Sequence, residues 1–180
     1  MSIEKTIDHK TIYRGKIIDL IIKDVRLENN KLAKREVALH KPGVSVIALE
    51  GEHIFLVKQF RTAIEKEIFE IPAGLVEENE TILEAAHREL QEEIGYDAKV
   101  MEQLTSFYPS PGFTNEITHI FLAKDLFKSK LPEDEDEQLQ VYPFPISKLE
   151  DFIKEEKIID AKTLIAISLF LLYEKKPVRN

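Results

Sequence analysis

The sequence predicts an α/β sandwich preceded by a small antiparallel β-sheet subdomain. Two observations carry that expectation. Strand-like apolar runs alternate with stretches of helical periodicity through most of the chain. The first forty residues, by contrast, hold only short β-branched segments broken by a turn.

Taken in order, residues 16–23 (KIIDLIIK), 25–27 and 35–39 read as short strands, and the turn at 28–31 (ENNK) makes a hairpin of the last two. After Lys41-Pro42-Gly43 the apolar runs strengthen at 44–49 and 54–57, as expected for more deeply buried strands. This shift divides the chain into an N-terminal β subdomain, 1–41, and a main domain, 42–180. Helical patterns follow at 81–94, 147–156 and 160–175, with further strand-like runs at 100–108 and 117–123. The most apolar stretch, 164–173 (LIAISLFLLY), is too short to span a bilayer and reads as a buried helix.

Composition narrows the function. With 43% apolar and 32% charged residues the chain suits a globular protein, and the cytoplasm is the default location. A net charge of -8 argues against a nucleic-acid polymer as partner, since such surfaces concentrate Lys and Arg. No membrane partner is expected either. With no Cys there are no disulfides or thiolate ligands, so any metal is a hard one on oxygen. His9, His40, His53, His87 and His119 show no ligand spacing and read as structural or solvated.

The helix at 81–94 is marked at both ends, by a Thr81/Glu84 capping box and by Gly95. Ile82, Leu83, Ala86, Leu90 and Ile94 form its apolar arc. Glu93 falls inside that arc, Glu89 sits at its edge one turn earlier, and Glu92 lies beside them. A Glu-rich helix is usually a solvated face. Carboxylates at apolar positions instead call for cations, and a divalent metal with water supplies that compensation.

From Gly74 the chain reads GLVEENETILEAAHRELQEEIGY, which resembles the Nudix box at Gly74, Glu80, Arg88, Glu89, Leu90, Glu92, Glu93 and Gly95, with Tyr96 in the last, usually aliphatic, position. The resemblance implies a Nudix-type α/β/α sandwich in which Mg²⁺ or Mn²⁺ bridges enzyme and diphosphate. It implies Glu89, Glu92 and Glu93 as metal ligands, the Ala73 carbonyl as an extra one, and Glu89 and Glu93 as catalytic. Gly74, Glu80, Arg88 and Gly95 are then structural, with Arg88 and Glu80 an orienting pair.

Other segments bear on the substrate. YPSPGFTNE at 108–116 resembles the Ser-Pro-Gly plus Glu signature of the ADP-ribose pyrophosphatase subfamily, and VKQFR at 57–61, EIPAG at 70–74, Lys34-Arg35-Glu36 and DAKT at 160–163 are similar to it as well. The likeness implies substrate contacts from Arg35, Arg61, Glu70, Pro111, Gly112 and Glu116, with Arg35 reaching from a partner subunit. It also implies a Glu-bearing loop at the acidic run 133–137 (EDEDE). Glu135 is then the residue that positions or deprotonates water, and Glu137 an additional metal ligand, or the reverse. The adenine platform stays unassigned.

The expected reaction is hydrolysis of ADP-ribose to AMP and ribose 5-phosphate. Alternatives are a nucleotide sugar or dinucleotide as substrate, or a Nudix-like sensor that binds without cleaving. The small N-terminal sheet buries little alone, so a homodimer through it is expected.

Overall fold

The computed structural model describes residues 3–132 and 138–174. Two compact units make up the chain: Met1–Pro42 with Tyr108–Ile117, and Gly43–Phe107 with Thr118–Asn180.

The first unit is a three-stranded antiparallel sheet of β1 (Lys5–Arg14), β2 (Ile18–Arg26) and β3 (Leu32–His40), in that order. Its β2–β3 hairpin turns where ENNK predicts, with Asn30 at φ 61, a left-handed conformation that Asn tolerates. The segments expected at 16–23 and 25–27 are one strand, β2, which contributes the buried Ile21 and Val25. Strand β1 was not expected. It is an edge strand exposed along nearly its whole length, so no buried face imposes alternation on KTIDHKTIYR. Segment Tyr108–Ile117 docks on β3 through Ala38 N–H to the Phe113 carbonyl (2.8 Å) and His40 N–H to Asn115 Oδ1 (2.9 Å).

The second unit holds β4 (Gly43–Glu50), β5 (His53–Arg61), β6 (Lys66–Glu70), β7 (Ala73–Leu75), α1 (Ile82–Ile94), β8 (Tyr96–Phe107), β9 (Thr118–Lys128) and β10 (Gln140–Pro145). A 3-10 turn (Ile146–Lys148), α2 (Leu149–Lys154) and α3 (Ala161–Glu174) complete it. The sheet runs β10-β5-β4-β9-β8, with β6 added to β5 and β7 to β4, and β4 lies parallel to β9.

Alternate residues of its central strands feed two cores. Val44, Val46, Ala48, Phe121 and Ala123 pack with Ala85, Ala86, Leu90 and Ile94 of α1. Ile47, Ile120 and Leu122 pack with Leu149 of α2 and Ala166, Ile167 and Phe170 of α3. Both faces of the sheet are covered, which makes an α/β/α sandwich and explains the unbroken apolar run in β4. The helix expected at 147–156 shrinks to the 3-10 turn and α2, and Glu156 at φ 56 leaves the helical region. Strand β10 carries Pro143 and Pro145, which hid it from the sequence pattern, and pairs with β5 at the end of the strand order.

Candidate active site

Helix α1 forms because its ends are satisfied and one face is apolar. Thr81 Oγ1 accepts from Glu84 N–H (3.2 Å), the Glu84 carboxylate accepts from Thr81 N–H (2.8 Å), and Gly95 closes the helix at φ 74. Such a cap stabilises by about 1 kcal/mol. Burying Leu90 and Ile94 adds roughly 2 kcal/mol each. The same packing takes two carboxylates out of water, leaving Glu89 7% and Glu93 4% exposed.

Both lie against the strand that precedes the helix. Glu93 Oε2 accepts from the Ala73 backbone N–H at 3.0 Å, and Ala73 itself pairs with Ser45 of β4. A Cβ on Gly74 would run into the Glu89 carboxylate, so glycine there makes room for that side chain.

Arg88 spans the gap between loop and helix. Its Nε and Nη2 donate to the two oxygens of Glu80 (2.8 and 3.0 Å), and Nη2 also donates to the Leu75 carbonyl (2.8 Å). Nη1 donates to Glu89 (2.7 Å) and Glu92 (2.8 Å). Glu80 in turn accepts from Glu77 N–H at 2.9 Å, which shapes the 77–80 turn. The Arg88 hydrogen bond holds the Glu80 carboxyl below the ordinary carboxylate range against the opposing effect of burial. Arg88 is itself raised, chiefly by hydrogen bonding to Glu80.

A second network lies at the other end of the β7 segment. Arg61 forks onto Glu70, with Nε and Nη2 each 2.7 Å from a carboxylate oxygen, and Lys162 donates to the same carboxylate. Glu70 is 1% exposed. Burial alone pushes its carboxyl up, but hydrogen bonds and charge from Arg61 and Lys162 outweigh that and hold it low. In the sequence, 160–163 (DAKT) offers a helix start and a likeness to the subfamily, neither of which points to the Lys162 contact with Glu70.

Among the described residues no three His, Cys, Asp or Glu side chains stand together as a metal-holding group, and Arg88 engages Glu89 and Glu92. The family model described as the NUDIX domain matches residues 39–165. The chain belongs to the Nudix family. Helix α1 and the flanking 74–80 loop lie inside the matched span.

Among relatives, this Nudix chain is 44% identical to "ADP-ribose pyrophosphatase" of Bacillus subtilis (strain 168), over 95% of this chain and 94% of that one. It is 42% identical to "Methanol dehydrogenase activator" of Bacillus methanolicus, with the same coverage. Its fold matches a solved ADP compounds hydrolase at TM-score 0.87 and 22% identity, covering 96% of this chain and 94% of that one.

The remaining residues singled out in this Nudix hydrolase lie in the first unit or outside the described residues. Arg35 on β3 donates through Nε to Glu4 Oε2 (3.0 Å) and through Nη1 to the Lys34 carbonyl (2.9 Å). Pro111 and Gly112 are exposed in a turn whose Ser110 carbonyl accepts from Phe113 and Thr114, while Glu116 is half-buried. Glu135 and Glu137 lie outside the described residues.

Proposed function

We propose that the chain hydrolyses the diphosphate linkage of ADP-ribose, giving AMP and ribose 5-phosphate, with Mg²⁺ or Mn²⁺ as cofactor. The observation that carries the substrate is 44% identity to an ADP-ribose pyrophosphatase along 95% of the chain. The Glu89–Gly74 cradle and the Ala73–Glu93 hydrogen bond support the chemistry.

The donor chemistry is that of a hard divalent cation: Glu89 and Glu93 are buried carboxylates beside one short strand, and the Ala73 carbonyl lies in the same segment. Glu92, which shares Arg88 Nη1 with Glu89, would join them on leaving that contact. When bound, the cation neutralises diphosphate charge and lowers the pKa of water. Arg88 then fixes the helix relative to the loop through Glu80 and Leu75. Arg61 presents a planar cation suited to a phosphate oxygen. Glu70, with both oxygens taken up by Arg61 and Lys162, serves as the anchor of Arg61 rather than as a substrate contact. Glu135 positions or deprotonates the attacking water and Glu137 adds a ligand. Arg35, Pro111, Gly112 and Glu116 complete the substrate contacts. Water adds to one phosphorus, the bridging P–O bond breaks, and two phosphate monoesters form, with two protons released when both products are dianions.

The protein acts in the cytoplasm as a homodimer through its N-terminal sheet. Among the described residues no helix is long and apolar enough to cross a membrane.

AMP release from ADP-ribose is measured with Mg²⁺, with Mn²⁺ and with EDTA, beside nucleotide sugars and nicotinamide dinucleotides. ADP-ribose leading the panel supports the proposal. Another compound leading replaces the substrate, and binding without turnover turns the reading into that of a sensor.

A further inference from the structure

We infer that the first turn of α3, through Lys162 and Thr163, is a positioning element that holds Arg61 and the 70–74 segment in their working places. The geometry runs in an unbroken chain. Arg61 forks onto Glu70, Lys162 donates to Glu70 and lies 3.1 Å from Asp160, and Asp160 accepts from both Thr163 N–H (2.9 Å) and Thr163 Oγ1 (2.6 Å). Thr163 Oγ1 then accepts from the Ile71 backbone N–H at 3.0 Å, and Thr163 is fully buried.

The α3 turn thus grips two successive residues, Glu70 by its side chain and Ile71 by its backbone. Each following residue is also tied. The Pro72 carbonyl accepts from Val46 N–H (2.8 Å), Ala73 N–H donates to Glu93, and Gly74 abuts Glu89. Segment 70–74 therefore joins the α3 network to the carboxylates of α1. The four charges of the network, two cations and two carboxylates, cancel only while Lys162 is present. Without it, buried Glu70 and nearby Asp160 share Arg61 alone, and a carboxylate out of water draws that guanidinium more tightly or shifts with it. Arg61 keeps 41% of its side chain exposed, so it has a free face for a ligand while Glu70 fixes its other edge. Lys162 and Thr163 act through Arg61 and the backbone and touch no reacting atom.

The inference rests on the proposed hydrolysis only for its kinetic readout, so a second readout is taken without substrate. In Lys162→Met, which keeps the aliphatic stem, KM for ADP-ribose rises about tenfold while kcat stays within about threefold. The Arg61 Nε–H resonance shifts or broadens in the substrate-free protein. Lys162→Arg restores both. The effects of Lys162→Met and Arg61→Met on kcat/KM are non-additive, because both act through one group. An unchanged KM with an unmoved Arg61 resonance overturns the inference, as does a drop in melting temperature with no change in either. If wild-type protein does not turn over ADP-ribose, the substrate reading falls and the Arg61 resonance alone decides.

Discussion

The Glu89 carboxylate lies where a side chain at position 74 would begin, so Gly74 and Glu89 divide a single volume between them. Gly74 has no positive φ, and its glycine is demanded by this approach and not by the backbone. A methyl group at 74 meets only the far end of a flexible side chain, which swings away at small cost. Gly74→Ala is therefore expected to fold with a melting temperature within a few degrees of wild type, yet to lose about 10- to 100-fold in activity, as when a group that orients a ligand is disturbed. Thermal melts beside steady-state rates check it, and a fully active Gly74→Ala would remove the cradle from the mechanism.

Arg88 meets three carboxylates and a carbonyl with one planar group. Lysine keeps the charge but cannot donate along the same diverging directions. Arg88→Lys is expected to lose about 2 kcal/mol of stability, read from urea unfolding, because the Leu75 carbonyl and Glu80 are left partly unsatisfied. Activity should fall further than the folded fraction does, since Glu89 and Glu92 lose their common partner.

Much of this helix was legible in the sequence because its causes are local. Thr81, Glu84 and Gly95 mark ends within a few residues of the groups they satisfy, and Glu93 stands out in an apolar arc by period alone. The Lys162 contact to Glu70 spans 92 residues and leaves no periodic trace. The pairing of Arg61 with Glu70 was equally silent, since each reads alone as a solvated charge and even the β5–β6 register sets Arg61 opposite Lys66 and Glu70 opposite Val57, so only the side chains bring the two together. Strands β1 and β10 escaped for a different reason: an edge strand need not alternate, and β10 tolerates its prolines because it ends the strand order.

Acid sensitivity follows from Glu70 and Glu80, both held below their ordinary value of 4.5. A carboxylate depressed on folding contributes stability that is complete above its unfolded value and lost as pH falls through the folded one. Stability should stay level near neutral pH and drop as pH falls below about 4.5. Glu70→Gln is expected to cost roughly 2 to 3 kcal/mol at pH 7, by leaving Lys162 and Arg61 without their buried partner. It should also show a shallower acid limb. Urea melts across pH check both, and an unchanged acid limb would remove Glu70 from the account.

The N-terminal sheet leaves Ile3, Ile7, Ile12, Tyr13 and Leu32 exposed within its own unit. Apolar side chains on so small a sheet are what a second copy would cover. Sedimentation at micromolar concentration should therefore give twice the 20.8 kDa chain mass. The monomer mass there would count firmly against a homodimer.

Glu93→Gln isolates charge from packing. Glutamine has nearly the same volume, and its amide oxygen can still accept from Ala73 N–H, so the hydrogen bond that ties α1 to β7 survives. What is lost is one negative charge at a buried position one turn from Glu89. With a divalent cation as the compensating partner, the variant should keep or slightly raise its melting temperature, bind Mn²⁺ at least about tenfold more weakly, and lose about 100-fold or more of its rate. Those outcomes have to occur together: a variant that loses its rate while binding Mn²⁺ normally places Glu93 outside the metal site, and one that keeps its rate takes the buried carboxylate out of the chemistry.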